Sequence, residues 1–213
     1  MPARQSEALV LRTYPFGEAD LVVSFLTRDL GRLRGVAKRA RRAKSPFGSG
    51  LERLSHVRVL FHQRETRELV TLVSCELIQS QFGLLKSYEA GVVLDYMAEV
   101  SEQLLPAGEK NERFFRLLLT VLEHLRAEPE QGLWAAVAYF SLWAVRLSGF
   151  LPQLQVSESA RQIADEMLRT PLGQLTAREW NKQTCADLRR FLVRTVEQQI
   201  ERKLASVPIL ESL

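Results

Sequence analysis

The strongest chemical signal in this sequence is a basic run between residues 32 and 44. Its members are Arg32, Arg34, Lys38, Arg39, Arg41, Arg42 and Lys44, and no acidic residue interrupts them. Alternate side chains of a strand share one face, so Arg32, Arg34 and Lys38 are predicted to line a common surface. The other four continue into a loop rich in Gly, Ser and Pro. Cations in such a row neutralise phosphates, so the run predicts contact with a nucleic-acid backbone.

Aromatic residues close to the basic run extend this prediction. Phe47 follows the run directly, and Tyr14 and Phe16 precede it. Barrels that hold single-stranded nucleic acid combine a basic groove with aromatic rings on which bases stack. Phe47 is therefore a candidate stacking residue, with Tyr14 and Phe16 as further candidates. The alternative, a solvated basic face with the aromatic rings in the core, stays open at this point.

The sequence shows no catalytic or metal-binding motif, which favours a binding protein. The glycines at Gly48 and Gly50 lack the Lys-Ser/Thr pair of a phosphate-binding loop, and no Gly-x-Ser-x-Gly elbow occurs. The three histidines and two cysteines are scattered and form no ligand cluster at tetrahedral spacing. We therefore expect no catalytic residues, no metal site and no cofactor.

The charge is divided unequally along the chain. Residues 1–80 contain 14 Lys/Arg and 8 Asp/Glu, a net charge of +6, whereas the remainder contains 15 against 17, a net of −2. The N-terminal part should therefore attract polyanions. The longest apolar run, residues 133–145, is too short to cross a bilayer, and no secretory signal is visible. These features predict a cytoplasmic protein.

Short segments rich in Val, Leu, Phe and Thr, separated by turn residues, predict strands in the first domain, residues 1–80. They cover residues 8–14, 21–27, 32–38, 56–62 and 69–76. In the fourth segment Val57, Val59 and Phe61 face one way and alternate with His56, Arg58, Leu60 and His62, as in a strand with one buried face. Five strands at this spacing favour a small antiparallel barrel, with the OB-fold as the leading candidate.

The hydrophobic period changes to that of helices in the second domain, residues 81–213. Apolar residues recur at spacings of three and four over residues 84–104, 111–126, 133–147 and 184–204. Thr176 and Glu179 have the spacing of a capping box and predict the start of a further short helix. The fold class is therefore α+β, with a β-barrel domain followed by an α-helical domain.

The helix predicted over residues 133–147 carries more large apolar side chains than one core-facing stripe accommodates. Core packing is the simpler interpretation for each of them. The alternative is a groove for an acidic protein tail, with Trp143 in the groove and Arg116, Arg126 or Arg146 at its rim.

Several stretches together resemble the RecO family of bacterial recombination mediators and DNA-repair proteins. Residues 7–27 resemble the first two strands of that family, and residues 31–42 resemble its basic third strand and loop. Ser148-Gly-Phe-Leu-Pro152 is similar to the family's link out of the helical domain, and residues 203–210 are similar to its C-terminal ending. The resemblance covers most of the chain in order.

The resemblance implies an N-terminal OB-fold, a helical C-terminal domain and binding of single- and double-stranded DNA. It also implies annealing of complementary strands and, with RecR, loading of RecA onto DNA coated by single-strand-binding protein. The acidic C-terminal tail of the single-strand-binding protein is implied as a ligand. An OB-fold RNA-binding protein and a helical protein-interaction scaffold remain the alternatives.

One feature of the RecO family is missing. Many members carry a four-cysteine zinc module just after the Ser-Gly-Phe-Leu-Pro stretch, whereas residues 153–159 here run straight into a predicted helix. Neither Cys75 nor Cys185 is placed to serve such a module. Either this member lacks it, or the segment is missing from this sequence, so zinc is not predicted.

Overall fold

The computed structural model describes residues 3–63 and 68–213. The chain forms two compact units. The barrel unit comprises Met1–Gly83 and Leu105–Phe115, and the helical unit comprises Leu84–Leu104 and Arg116–Leu213. The short segment Leu105–Phe115, which follows the first helix of the helical unit, therefore belongs with the barrel.

The barrel unit is built on five strands. They are β1 (Arg4–Phe16), β2 (Asp20–Thr27), β3 (Gly31–Ala37), β4 (His56–His62) and β5 (Leu69–Gln79). The strands close into a barrel in the order β1-β2-β3-β5-β4, in which β1 pairs antiparallel with both β2 and β4. The β3–β5 pair is parallel. The five-stranded OB-fold predicted from the sequence is confirmed.

The barrel core follows from the two-residue period of its strands. In β4, Val57, Val59 and Phe61 are buried while the residues between them are more exposed, which confirms the alternation read from the sequence. Phe61 packs edge-to-face on Phe25 of β2, with 6.3 Å between ring centroids. Such aromatic pairs add to the stabilisation that burial of their area provides.

The loop between β3 and β4 contributes to the same core. Phe47 and Leu51 are buried in it. Gly50 lies so close to Cys75 of β5 that an added Cβ would be 2.7 Å from the Cys75 sulfur. Burial raises the pKa of the Cys75 thiol to about 12, so the thiol stays neutral at physiological pH.

Segment Leu105–Phe115 is attached to the start of β3. The Arg32 Nε donates to the carbonyl of Leu105 at 2.7 Å, and the Gly108 amide donates to the carbonyl of Arg32 at 2.9 Å. Gly31 has a φ of +75°, and a Cβ there would lie 2.1 Å from the carbonyl oxygen of Glu109. Only glycine allows both this conformation and this approach of two backbones.

The helical unit contains most of the helices. They are α1 (Tyr88–Leu104), α2 (Glu112–Ala127, with its first turn in the barrel unit), α3 (Leu133–Leu147), α4 (Glu158–Arg169), α5 (Ala186–Gln199) and α6 (Val207–Ser212), with short 3-10 turns at Leu84–Lys86 and Leu172–Gln174. Along α5, Leu188, Leu192 and Val196 form the buried stripe that their spacing predicts. Ser157 begins α4, because its hydroxyl accepts from the Ala160 amide at 3.4 Å.

The helix predicted to start at Thr176 does not form. Residues 175–180 have no regular secondary structure. The Thr176 amide, which a helix would direct along its own axis, donates instead to the carboxylate of Glu166 on α4 at 2.5 Å, and Arg178 pairs with the same carboxylate. The capping-box prediction was wrong because a tertiary partner takes the backbone donor.

The C-terminal segment is held by buried charged groups. The Glu99 carboxylate of α1, which is 2% exposed, accepts from the Ala205 amide and from the amide and hydroxyl of Ser206 at 2.6–2.9 Å. Arg189 of α5 is fully buried and forms a two-pronged pair with Glu211 at 2.9 and 3.0 Å. Its guanidinium also lies over the ring of Trp134, 4.8 Å from the centroid.

We expect replacement of Glu211 by Gln to lower the free energy of unfolding by about 2 kcal/mol at neutral pH, because it leaves the buried Arg189 charge without its counter-ion. Hydrogen bonds from Arg189 hold the pKa of Glu211 below its usual range, although partial burial opposes them. A lowered folded-state pKa stabilises the fold above the unfolded pKa, and this contribution is lost as the pH falls through the folded value. The difference between the native protein and Glu211→Gln should therefore narrow below about pH 4.3.

Denaturant titrations of both proteins across this pH range measure the effect. Glu201→Gln, which removes an exposed carboxyl of the same unit, is the matched control. A difference between native protein and Glu211→Gln that is unchanged at acid pH would contradict the assignment.

Candidate nucleic-acid interface

The outer face of β1–β3 brings two cross-strand rows together. Residues directly opposite one another on paired strands share a face. Arg12 of β1 is opposite Ser24 of β2, which is in turn opposite Arg34 of β3. In the next row, Tyr14 is opposite Val22, and Val22 is opposite Val36. Two arginines and a tyrosine therefore lie on one surface of the barrel.

A β-bulge decides which β1 residues reach this surface. Ala8 and Val10 point into the core, so strict alternation would also direct Arg12 and Tyr14 inward. The register of β1 against β2 shifts between Val10 and Arg12, and this shift moves Thr13 to the core side. Arg12 was not identified from the sequence, because nothing in the local sequence reveals the bulge that turns this residue outward.

The rings at this surface are Tyr14 and Phe16. The guanidinium of Arg34 lies over the ring of Tyr14, 5.6 Å from its centroid, and the Tyr14 side chain is half-buried. Phe16 ends β1 and is 52% exposed. Phe16 presents the larger exposed aromatic surface, which is the property that a base-stacking residue needs.

The basic loop, residues 38–44, follows β3 and folds back on the turn between β1 and β2. Its cationic side chains Lys38, Arg39, Arg41, Arg42 and Lys44 are all exposed. The Arg39 amide donates to the Asp20 carboxylate at 2.7 Å, and the Arg41 amide donates to the Ala19 carbonyl at 3.0 Å. Asp20 is the cross-strand neighbour of Phe16, so the loop backbone is attached next to that ring.

Arg32 differs from the other members of the basic run. It is half-buried, and its Nε holds the carbonyl of Leu105. Its position therefore gives it a structural task in the barrel unit, whereas Arg34 and the loop cations are directed to solvent.

The prediction that Phe47 stacks on a base was wrong. The ring is 2% exposed and belongs to the barrel core. A base cannot stack on a ring that is covered on both faces. The position of Phe47 beside the basic run suggested an exposed ring, but the chain turns inward after Ser45. The Ser45 hydroxyl accepts from the Phe47 amide at 3.3 Å.

The candidate residues for an acidic tail in the helical unit are only partly brought together. Arg146 lies over the ring of Trp143, 5.0 Å from its centroid, and the indole nitrogen donates to the Met167 carbonyl at 3.0 Å. Arg116 and Arg126 are both on α2, but ten residues of helix separate them by about 15 Å. The structure therefore does not bring them together in one cluster with Arg146 and Trp143.

The apolar surplus of α3 is explained by core packing. The helix packs against α1, α4 and α5, and most of its residues are buried, including Tyr139 and Phe140. Core packing, the simpler interpretation of these side chains, is therefore confirmed, and the expectation of an apolar surface on α3 for a tail was wrong. A single apolar stripe is what a helix packed on one side needs, whereas α3 is covered by neighbouring helices on several sides.

Two further properties concern residues 3–63 and 68–213. No group of three or more His, Cys, Asp or Glu side chains there is arranged to hold a metal ion. No helix in these residues has the length and apolar character needed to cross a bilayer. Both cysteines in this part of the chain are free and buried.

Comparison with known proteins identifies the family. Residues 1–81 match the family model for the N-terminal domain of recombination protein O, and residues 85–166 match that for its C-terminal domain. This chain belongs to the RecO family. The RecO N-terminal domain is an OB-fold, in agreement with the closed barrel described above.

Individual RecO relatives agree with this assignment. The DNA repair protein RecO of Koribacter versatilis is 39% identical, and the alignment covers 99% of both chains. That alignment extends over 244 residues, more than the 213 of this chain, so the relative has segments without a counterpart here. The RecO proteins of Bifidobacterium adolescentis and Syntrophotalea carbinolica are 35% and 32% identical, and the matches cover 63% and 57% of their lengths.

Phe16 and Phe47, both candidate stacking residues in the sequence, allow a matched test of the interface. We expect Phe16→Ala to weaken binding of single-stranded DNA by about 1–3 kcal/mol, the usual value of one base–aromatic stack. Its melting temperature should change little, because the ring is exposed. Phe47→Ala should instead lower the free energy of unfolding by about 3–5 kcal/mol, since it empties part of the core.

Binding isotherms and thermal melts of both variants separate the two effects. Unchanged DNA affinity in a folded Phe16→Ala variant would remove Phe16 from the interface.

Proposed function

We propose that this protein is a non-enzymatic DNA-binding recombination mediator that acts in DNA repair. The proposal rests on the outer face of β1–β3, where Arg12, Arg34 and the half-buried Tyr14 share one surface. The exposed ring of Phe16 ends β1 next to the point where the basic loop is attached. Membership of a family whose relatives are named DNA repair protein RecO supports it.

The chemistry of this surface fits binding that does not depend on base sequence. Arginine and lysine contacts to phosphates position a nucleic acid without reading its bases. Once cations neutralise the backbone, two complementary strands repel each other less while their base edges stay free to pair. Annealing of complementary strands is therefore the activity that we assign to the barrel.

The partners that we propose follow from the family resemblance. They are single- and double-stranded DNA, RecR, and the C-terminal tail of single-strand-binding protein, with loading of RecA as the outcome. Because these partners act on chromosomal DNA, we propose that the protein is cytoplasmic and associated with the nucleoid. An OB-fold RNA-binding protein is the nearest alternative, and a contact to the 2′-hydroxyl would distinguish it.

The basic loop supplies the direct test of DNA binding. We expect the triple variant Arg39→Ala, Arg41→Ala, Arg42→Ala to bind single-stranded DNA more weakly, by a similar factor for all sequences. The plot of log affinity against log salt should flatten by roughly 0.7 for each phosphate that the variant no longer neutralises. Fluorescence anisotropy across a salt series measures both quantities.

The matched control removes three exposed arginines of the helical unit, Arg161, Arg169 and Arg202. It lowers the net charge by the same amount, so only a local contact distinguishes the two triple variants. An equal salt slope in the loop variant and the native protein would exclude the loop as a phosphate-binding element.

A groove between α5 and α6 supports the tail as a ligand of the helical unit. It has a volume of about 430 Å³ and an apolar floor that includes Val193 and Leu204. Its carboxylates are engaged within the unit, Glu197 with Lys203 and Glu211 with Arg189. The side chains of Arg190 and Arg194, which also line it, are exposed and available to an acidic ligand. An acidic segment with an apolar end needs both features.

We expect an acidic tail peptide to bind the full chain in a salt-sensitive manner, and the double variant Arg190→Ala, Arg194→Ala to weaken it about fivefold. Arg146→Ala should leave the affinity unchanged, because Arg146 lies on a helix whose apolar side chains are used in the core. Titration of a labelled peptide measures both. The reverse pattern would place the tail at Trp143 and Arg146 instead.

A further inference from the structure

The geometry points to Asp20 as the anchor that holds the basic loop in its binding conformation. Its carboxylate accepts the Arg39 amide at 2.7 Å, and through this bond it sets the direction in which the loop leaves β3. Asp20 is thus a positioning residue that raises DNA affinity although its own charge repels phosphates. The inference rests on the proposed function of the loop.

The loop backbone needs such a partner. Arg39 has a φ of +55°, and Lys44, at the other end of the loop, has a φ of +63°. Residues with a Cβ rarely adopt this left-handed conformation, and it persists where surrounding contacts impose it. At Arg39 the contact is the bond to Asp20, and the Arg42 amide then donates to the Arg39 carbonyl at 3.1 Å. The bend therefore starts at the Asp20 carboxylate.

A second bond attaches the same loop to the same turn. The Arg41 amide donates to the Ala19 carbonyl at 3.0 Å. This bond uses backbone atoms of the turn and survives replacement of the Asp20 side chain. Removal of the carboxylate should therefore release the first part of the loop, around Arg39, without detaching the whole segment.

The neighbouring turn residue Glu18 provides a comparison of the opposite kind. Its side chain is exposed and accepts no hydrogen bond from the described residues. Its carboxylate adds a negative charge next to a surface that attracts phosphates, and it does not hold the loop. Electrostatics alone predicts that removing either Glu18 or Asp20 strengthens DNA binding. If the Asp20 carboxylate anchors the loop, removal of Glu18 should strengthen DNA binding, whereas removal of the Asp20 carboxylate should weaken it.

Three variants of the full chain separate charge from anchoring. Glu18→Ala and Asp20→Asn each remove one negative charge, and the amide oxygen of Asn can still accept the Arg39 amide. Both should bind an oligothymidylate about twofold more tightly than the native protein. Asp20→Ala removes charge and acceptor together, and we expect it to bind about tenfold more weakly than Asp20→Asn, because the loop must then be ordered on binding.

Hydrogen exchange of residues 38–44 reports the anchor without DNA. Exchange should be faster in Asp20→Ala than in the native protein and in Asp20→Asn, while the melting temperatures of all four proteins stay close. Asp20→Ala should also show a flatter dependence of affinity on salt, since a released loop contacts fewer phosphates.

Tighter binding by Asp20→Ala, equal to that of Glu18→Ala and with unchanged exchange, would overturn the inference. A native protein that binds no oligothymidylate at low salt would overturn the proposed function instead. In that case the exchange data would still decide whether Asp20 orders the loop.

Discussion

Closure of the barrel by the β1–β4 pair is the constraint on which the candidate site depends. In a closed barrel each strand residue points either into the core or outward, and no strand edge is left unpaired. Leu33 and Ala37 fill the core, so Arg34 between them must face solvent. The bulge in β1 then places Arg12 on the same outer surface. The position of the cations is therefore a consequence of how the core is filled.

Two sets of charged groups in this protein have opposite physical effects. Glu99, Arg189 and Glu211 are buried or partly buried and fully hydrogen-bonded, so they hold the C-terminal segment in place and offer no free charge to a ligand. The basic loop has the opposite arrangement, because its cations are exposed and repel one another. Hydrogen bonds from its backbone to the β1–β2 turn keep these cations close together. Only charges of this second kind can neutralise phosphates.

Elements with a regular hydrophobic period could be predicted from the sequence. Local departures that depend on tertiary contacts could not. The bounds of β4 and α3 agree with those predicted, since apolar spacing over a whole element reflects its packing. The spacing of five short strands and the family resemblance also led to the correct barrel. The inward turn of Phe47 and the bulge before Arg12 depend on contacts between distant residues, which spacing does not encode. For the same reason Thr176 was assigned to a helix that the Glu166 carboxylate prevents.

The central claim is that the outer barrel face binds DNA through its phosphates. The most direct test compares binding of the native protein to single-stranded DNA, duplex DNA and RNA of the same sequence over a series of salt concentrations. We expect both DNA forms to bind, with a log affinity that falls linearly with log salt for each. Absence of binding to any nucleic acid at low salt, or binding that salt does not weaken, would contradict it.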